Sequence, residues 1–264
     1  MFKFLLLLLN KQINVKQLSM KKVKQFSKLL LPVLALGFFT SCSDDDDDTP
    51  PATAKVSVTH ASPGSPAVDI YVDGTKVTTT QLSYSNTSGA SGNPYLTVNA
   101  GTRNIKVSPN GTLNVIDANV PFAANNAYSV FAYDVLGSGT TLRALVLGDD
   151  LTAPAAGKAH IRFLHLSPDA PNVDIELART GASSINLTNI PYVGPTPAAN
   201  LNVFTPVDAG DYTVNVRAAG TSPVVLTAPL TFTAGKIYTI YARGLLANGV
   251  GTADGLGASV ILHN

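Results

Sequence analysis

A block of eleven residues occurs twice in this chain, 105 positions apart, and it restricts the fold more than any other feature. The first copy runs from His60 to Ile70 and the second from His165 to Ile175. Both follow the skeleton His-x-Ser-Pro-x-x-Pro-x-Val-Asp-Ile. Two prolines, a serine, a histidine and an aspartate held in one register point to an internal duplication. Each copy is entered by a short apolar-rich stretch, Val56-Ser57-Val58 or Ile161-Arg162-Phe163, and leaves through Val-Asp-Ile. It therefore reads as strand, tight Pro-rich turn, strand, and each copy would open one β domain.

The rest of the chain keeps the period of two. Val68-Asp69-Ile70-Tyr71-Val72-Asp73 alternates and ends on Asp73-Gly74, a hairpin turn signal. No segment after the leader carries a sustained helical stripe. The second copy can be followed further: Tyr84 matches Tyr192, Ala100-Gly101 matches Ala209-Gly210, and Tyr128 matches Tyr238. The offset drifts to 110, so insertions fall in loops, among them 83–94 and 191–200. Composition places a linker at 152–158, between repeats at 53–151 and 159–264. A unit of about 100 residues can bury a core without disulfides. The expected fold is all-β, two tandem immunoglobulin-like or transthyretin-like sandwiches. There is no Trp and a single Cys, so the antibody hallmarks are missing. A short linker between separate cores predicts two nearly independent unfolding units.

The N-terminus reads as an address. From Met20, which is the expected start, Lys21, Lys22, Lys24 and Lys28 form a basic region. Leu29 to Phe39 form an apolar one, followed by Thr40-Ser41-Cys42. This is a secretory signal, too short in its apolar part to span a bilayer. Residues 1–41 are read as leader. Cys42 is expected to be lipidated, being the only cysteine and placed directly after the apolar region. Residues 42–52 would form a disordered acidic tether, because the run Asp44, Asp45, Asp46, Asp47 and Asp48 repels itself. Removing a leader with seven lysines and no acid turns a net charge of +1 into −6. No basic patch remains, which argues against nucleic acid.

Phe39-Thr40-Ser41-Cys42 resembles a bacterial lipobox. The run Ser43 to Asp48 is similar to the export signal of Bacteroidetes surface lipoproteins. The resemblance implies an outer-membrane lipoprotein exposed at the cell surface, held to the membrane through its lipid. The duplicated motif resembles the "domain of unknown function 4397" family of secreted and surface proteins, in two copies over residues 53–264. That resemblance implies architecture and location but no catalytic residue.

His60, Ser62 and Asp69, with His165, Ser167 and Asp174, are the residue types of a hydrolase triad. Each serine, however, precedes a proline (Pro63 or Pro168) in a turn where hydroxyls bond local backbone. Strand parity also puts His60 with Val56 and Val58, and Asp69 on the opposite face from Val68 and Ile70. The motif, with Pro66 and Pro171, is thus expected to lock a turn, with the imidazole bonding turn backbone. No cofactor or metal is expected. His160 and His165 fall on opposite strand faces, and the candidates for weak calcium are the loop carboxylates Asp149 and Asp150. Tyr84, Tyr95, Tyr192 and Phe204 border the long loops and are expected to sit in the core or at its rim. The leading functional reading is a non-catalytic binding or adhesion module for a glycan, matrix or envelope protein. A structural spacer and a weak hydrolase are the alternatives. Exposed apolar or aromatic loop clusters would favour binding, bland polar loops the spacer, and a convergent polar pocket the enzyme.

Overall fold

A computed structural model describes residues 50–137 and 142–264. The leader, Cys42 and the run Ser43 to Asp48 lie outside the described residues. All regular structure among the described residues is β. The first repeat contributes β1 (Thr53–His60), β2 (Asp69–Val72), β3 (Thr75–Lys76) and β4 (Leu96–Asn99). It continues with β5 (Gly101–Ser108), β6 (Ile116–Phe122), β7 (Ala127–Tyr133) and β8 (Arg143–Asp149). The second contributes β9 (Lys158–His165), β10 (Val173–Ala178), β11 (Ile185–Ile190), β12 (Thr205–Asp208) and β13 (Gly210–Ala218). After these come β14 (Val224–Phe232), β15 (Ile237–Arg243), β16 (Leu245–Val250) and β17 (Gly255–Leu262).

In the first repeat a sheet of order β4-β1-β7-β8 faces one of order β3-β2-β5-β6. The second repeats this as β12-β9-β15-β17-β16 and β11-β10-β13-β14, with β16 as an addition. β1 runs parallel to β7 and β9 parallel to β15, while every other pair apart from β16–β17 is antiparallel. The immunoglobulin order puts the first two strands side by side in one sheet. Here they lie in opposite sheets, so of the two expected sandwiches the transthyretin-like one is present. The strand prolines Pro121, Pro206 and Pro229 fall on β6, β12 and β14. Each of these is an edge strand, where a missing N–H breaks no ladder and discourages further pairing.

Each sandwich has its own core. Val56, Val58, Ile70, Ile105, Val107 and Phe122 fill the first. Ile161, Ile175, Val214, Val216, Phe232 and Ile240 fill the second. A third apolar cluster joins them: Phe131, Tyr133, Leu145 and Leu147 of the first repeat against Leu164, Leu166, Tyr241 and Ile261 of the second. The outer face of sheet β4-β1-β7-β8 is therefore covered by the outer face of the sheet around β9 and β15. The two expected cores are present, and this third cluster lies between them, where nearly independent unfolding units were expected. Alternate positions that read as solvent-facing, such as Ser57, Thr59 and Ser129, are fully buried because the other repeat lies over them.

Candidate functional site

The duplicated motif folds identically in its first half. His60 lies at the end of β1 and its Nε2 is 3.0 Å from the Pro66 carbonyl, while Nδ1 is 3.4 Å from the Ser62 amide. His165 repeats both distances with Pro171 and Ser167. A carbonyl can only accept and an amide N–H can only donate, so each imidazole is neutral with its proton on Nε2. Burial holds both below the usual histidine range. One neutral ring thus spans the turn from histidine to second proline, with Tyr84 or Tyr192 edge-on against it at 6.1 Å.

The second half of the motif diverges. Pro63-Gly64, with Gly64 at φ 68°, carries the Pro-Gly chemistry of a type II turn. The Ser62 and Ser65 hydroxyls pair at 2.6 Å. In the second copy Pro168 begins a turn without that glycine, and the Ser167 hydroxyl donates to the Gly244 carbonyl at 2.6 Å. Asp69 pairs with Lys76 at 2.9 Å, and that partner holds its carboxyl below the usual range. Asp174 instead accepts the amides of Asn189 and Gly220. Histidine, serine hydroxyl and aspartate are not brought together in either copy. The histidine nitrogens are occupied by backbone.

A constellation that the motif did not announce lies at the junction of the repeats. The guanidinium of Arg162, on β9, sits 2.8 Å from Asp149, the last residue of β8. Their side chains are 1% and 0% exposed. Arg162 Nε donates to Thr239 Oγ1 at 2.9 Å, and Thr239 lies 2.8 Å from His263 Nε2. His263 Nδ1 lies 2.7 Å from the Tyr95 hydroxyl, which donates to Asp149 at 2.8 Å. Ser129 donates to the same carboxylate at 2.7 Å and accepts from Arg162 at 3.0 Å. When His263 is neutral with its proton on Nδ1, every donation runs from Arg162 towards Asp149, through Thr239, His263 and Tyr95 on one side and directly or through Ser129 on the other. Burial lowers His263 to about 4, in keeping with that state. The ring of Phe204 covers the guanidinium, 4.5 Å from Cζ. Burial also pushes the Tyr95 hydroxyl well above the ordinary tyrosine range, with the Asp149 charge adding to the effect.

Strand register shows that the members are repeat equivalents. Val56 faces Leu96 and Ile161 faces Thr205, so Tyr95 and Phe204 hold one position. Ala127 faces Asp149, and the register of β15 with β17 sets Ile237 opposite His263. Asp149 and His263 are thus another such pair, as are Ser129 with Thr239 and Ser57 with Arg162. Contacts around the ring obey the same rule. Phe131 meets its own equivalent Tyr241 at 5.8 Å. Tyr84 lies under Arg243 as Tyr192 lies against Tyr133.

Several expected roles change accordingly. Asp149, read as a loop carboxylate for calcium, ends a strand and is committed to Arg162. Asp150 accepts the Thr152 amide at 2.9 Å. Among the described residues no three His, Cys, Asp or Glu gather where a metal could be held. Tyr84, Tyr95, Tyr192 and Phe204 all pack on the motif histidines or the ring. Arg162 and His263 were missed by sequence reasoning. An arginine at a strand position where the other repeat has Ser57 was the available signal.

Several clefts border the long loops, and two bear on function. One, of 650 Å³, is lined by Thr78 to Leu82, Ser85 to Ser91 and the end of β17. The other, of 550 Å³, lies between β9, β11 and the 191–204 loop, and is mainly apolar.

Residues 54–176 match the family described as "Domain of unknown function (DUF4397)". The matched stretch runs through the first repeat into β10 of the second. No curated protein matches the chain. Among solved structures it is similar to a "putative cell adhesion protein" from Bacteroides eggerthii DSM 20697. That likeness is 11% identical, covers 81% of this chain and 96% of that one, and has a TM-score of 0.24.

Proposed function

We propose that the protein is a non-catalytic binding or adhesion module of the bacterial cell surface, anchored by a lipid on Cys42 and exported under the run Ser43 to Asp48. One observation carries the binding reading. What the repeats share is anchored inside: the motif histidines and serines are fully buried. The loops in which they differ line the two clefts. Divergence confined to exposed loops on a shared scaffold is how a fold acquires ligand contacts. The motif histidines, serines and aspartates would then serve the scaffold, since their polar atoms bond the turns and strand ends.

The test is saturable binding of the purified full chain to immobilised glycans, matrix proteins and isolated envelope fractions. Binding to one class with a defined affinity supports the module. Absence of binding to all three would leave the protein as an envelope spacer.

A further inference from the structure

We infer that the 650 Å³ cleft formed by the first repeat's long loop against β17 is a binding site for a neutral oligosaccharide. This rests on the binding reading above and names its site and ligand class. The volume lies within the range of ligand pockets, roughly 300 to 1,000 Å³. Among the described residues lining it, none is Asp, Glu, Lys, Arg or His. A phosphate, a carboxylate or an ammonium group would find no countercharge there. The lining offers hydroxyls and amides instead. The exposed side chains of Thr79, Thr80, Asn86 and Ser91 have no hydrogen-bond partner among the described residues, so their polar groups are open to a ligand. The lining also includes Leu96 and Leu262, half-buried apolar surface suited to the C–H faces of a sugar ring.

The walls are fixed by hydrogen bonds that leave those groups free. Ser88 is buried and ties the loop down, accepting the Val58 amide at 2.9 Å and donating to the Pro94 carbonyl at 3.0 Å. Ala90 and Asn93 exchange backbone bonds around the tip at 3.1 and 2.9 Å. Gly89, at φ 71°, enters that tip in a conformation natural to glycine. Gly92 donates to the Leu262 carbonyl at 3.2 Å, so the second repeat supplies one wall and the site is complete only in the joined molecule. A wall held by backbone bonds loses little entropy on binding, which favours affinity from a few neutral hydrogen bonds.

The full chain is applied to an array of neutral, sialylated and sulfated oligosaccharides, and the strongest neutral binder is titrated against variants. Thr80→Ala with Asn86→Ala should weaken binding about tenfold, the combined effect of two neutral hydrogen bonds. Ser91→Trp, which fills the cleft, should abolish it. Thr188→Ala in the other cleft should leave it unchanged, with all variants melting like the parent. Neutral binding that survives both cleft variants would overturn the site while leaving the binding reading intact. Recognition restricted to acidic glycans, or to a matrix or envelope protein, would overturn the ligand class alone. Failure to bind anything would remove both.

Discussion

Asp149 and His263 hold the same position in the two repeats, and their side chains end 3.9 Å apart, both fully buried. In a self-complementary interface each patch meets a copy of itself, so a buried acid would meet an acid. Here one copy carries the carboxylate and the other a neutral imidazole. Ser57 and Arg162, another equivalent pair, supply the cation on one side only. The duplicated faces have diverged into complements, and the result is one body rather than two beads on a linker.

Arg162→Met should leave Asp149 as an unpaired buried charge and destabilise the chain by about 3–5 kcal/mol. The joint replacement of Arg162 by Met and Asp149 by Leu should cost clearly less than the sum of the single changes, because it removes both charges from the interior. A double-mutant cycle in urea measures the coupling. Additive losses would mean that the pair does not act as a pair.

The ring also sets a pH dependence. Free histidine titrates near 6.5, and burial lowers His263 to about 4 in the folded chain. Between those values the unfolded chain binds the proton and the folded chain does not. The contribution of His263 is therefore full above about pH 6.5, falls as pH drops through this window, and levels off below about 4. The total is on the order of 3 kcal/mol. His60 and His165 are lowered by burial too and add with the same sign. His263→Gln should flatten the slope in urea unfolding measured from pH 7 to 4, and an unchanged slope would contradict the assignment.

His60→Ala removes the partner of the Pro66 carbonyl and the Ser62 amide. His165→Ala does the same to Pro171 and Ser167. Each loss should cost on the order of 1–3 kcal/mol, and the two should be similar because the geometry is the same. Thermal melts of both variants provide the comparison. A variant that melts like the parent would exclude the turn-spanning role at that site.

The motif was legible because its constraint is local: a histidine reaching a carbonyl six residues on writes itself into eleven consecutive positions. The sandwich was legible because Val56, Val58 and Ile70 alternate with polar neighbours. The joining face was not, and the reason is chemical. Ser57, Ser129, Asp149, Arg162, Thr239 and His263 are polar residues buried by another repeat, so their pattern matches that of a solvated sheet face. The apolar hints were runs such as Leu145-Val146-Leu147 on β8 and Val130-Phe131-Ala132-Tyr133 on β7, where both faces need covering: Leu145, Leu147, Phe131 and Tyr133 meet the second repeat while Val146, Val130 and Ala132 pack on the first core. The choice between sandwich types likewise needed the pairing of β1 with β7, a contact between distant strands that carries no local signal.

The proposed address makes a prediction of its own. Cys42→Ala should release the protein from the membrane fraction and abolish labelling by a fatty-acid probe. Replacing Asp44 to Asp48 with Ser should keep the label but remove access to protease added to intact cells. A Cys42→Ala chain that remains anchored and labelled would end the lipoprotein reading, and unchanged protease access would reduce the aspartates to a spacer.

Calorimetric unfolding of the chain at neutral pH tests the joined body most directly. If the third core and the buried ring make residues 53–264 one cooperative unit, a single transition is expected, with calorimetric and van't Hoff enthalpies in agreement. Arg162→Met should lower that transition as a whole. Two resolved transitions, with the substitution moving only the one that belongs to the second repeat, would contradict it.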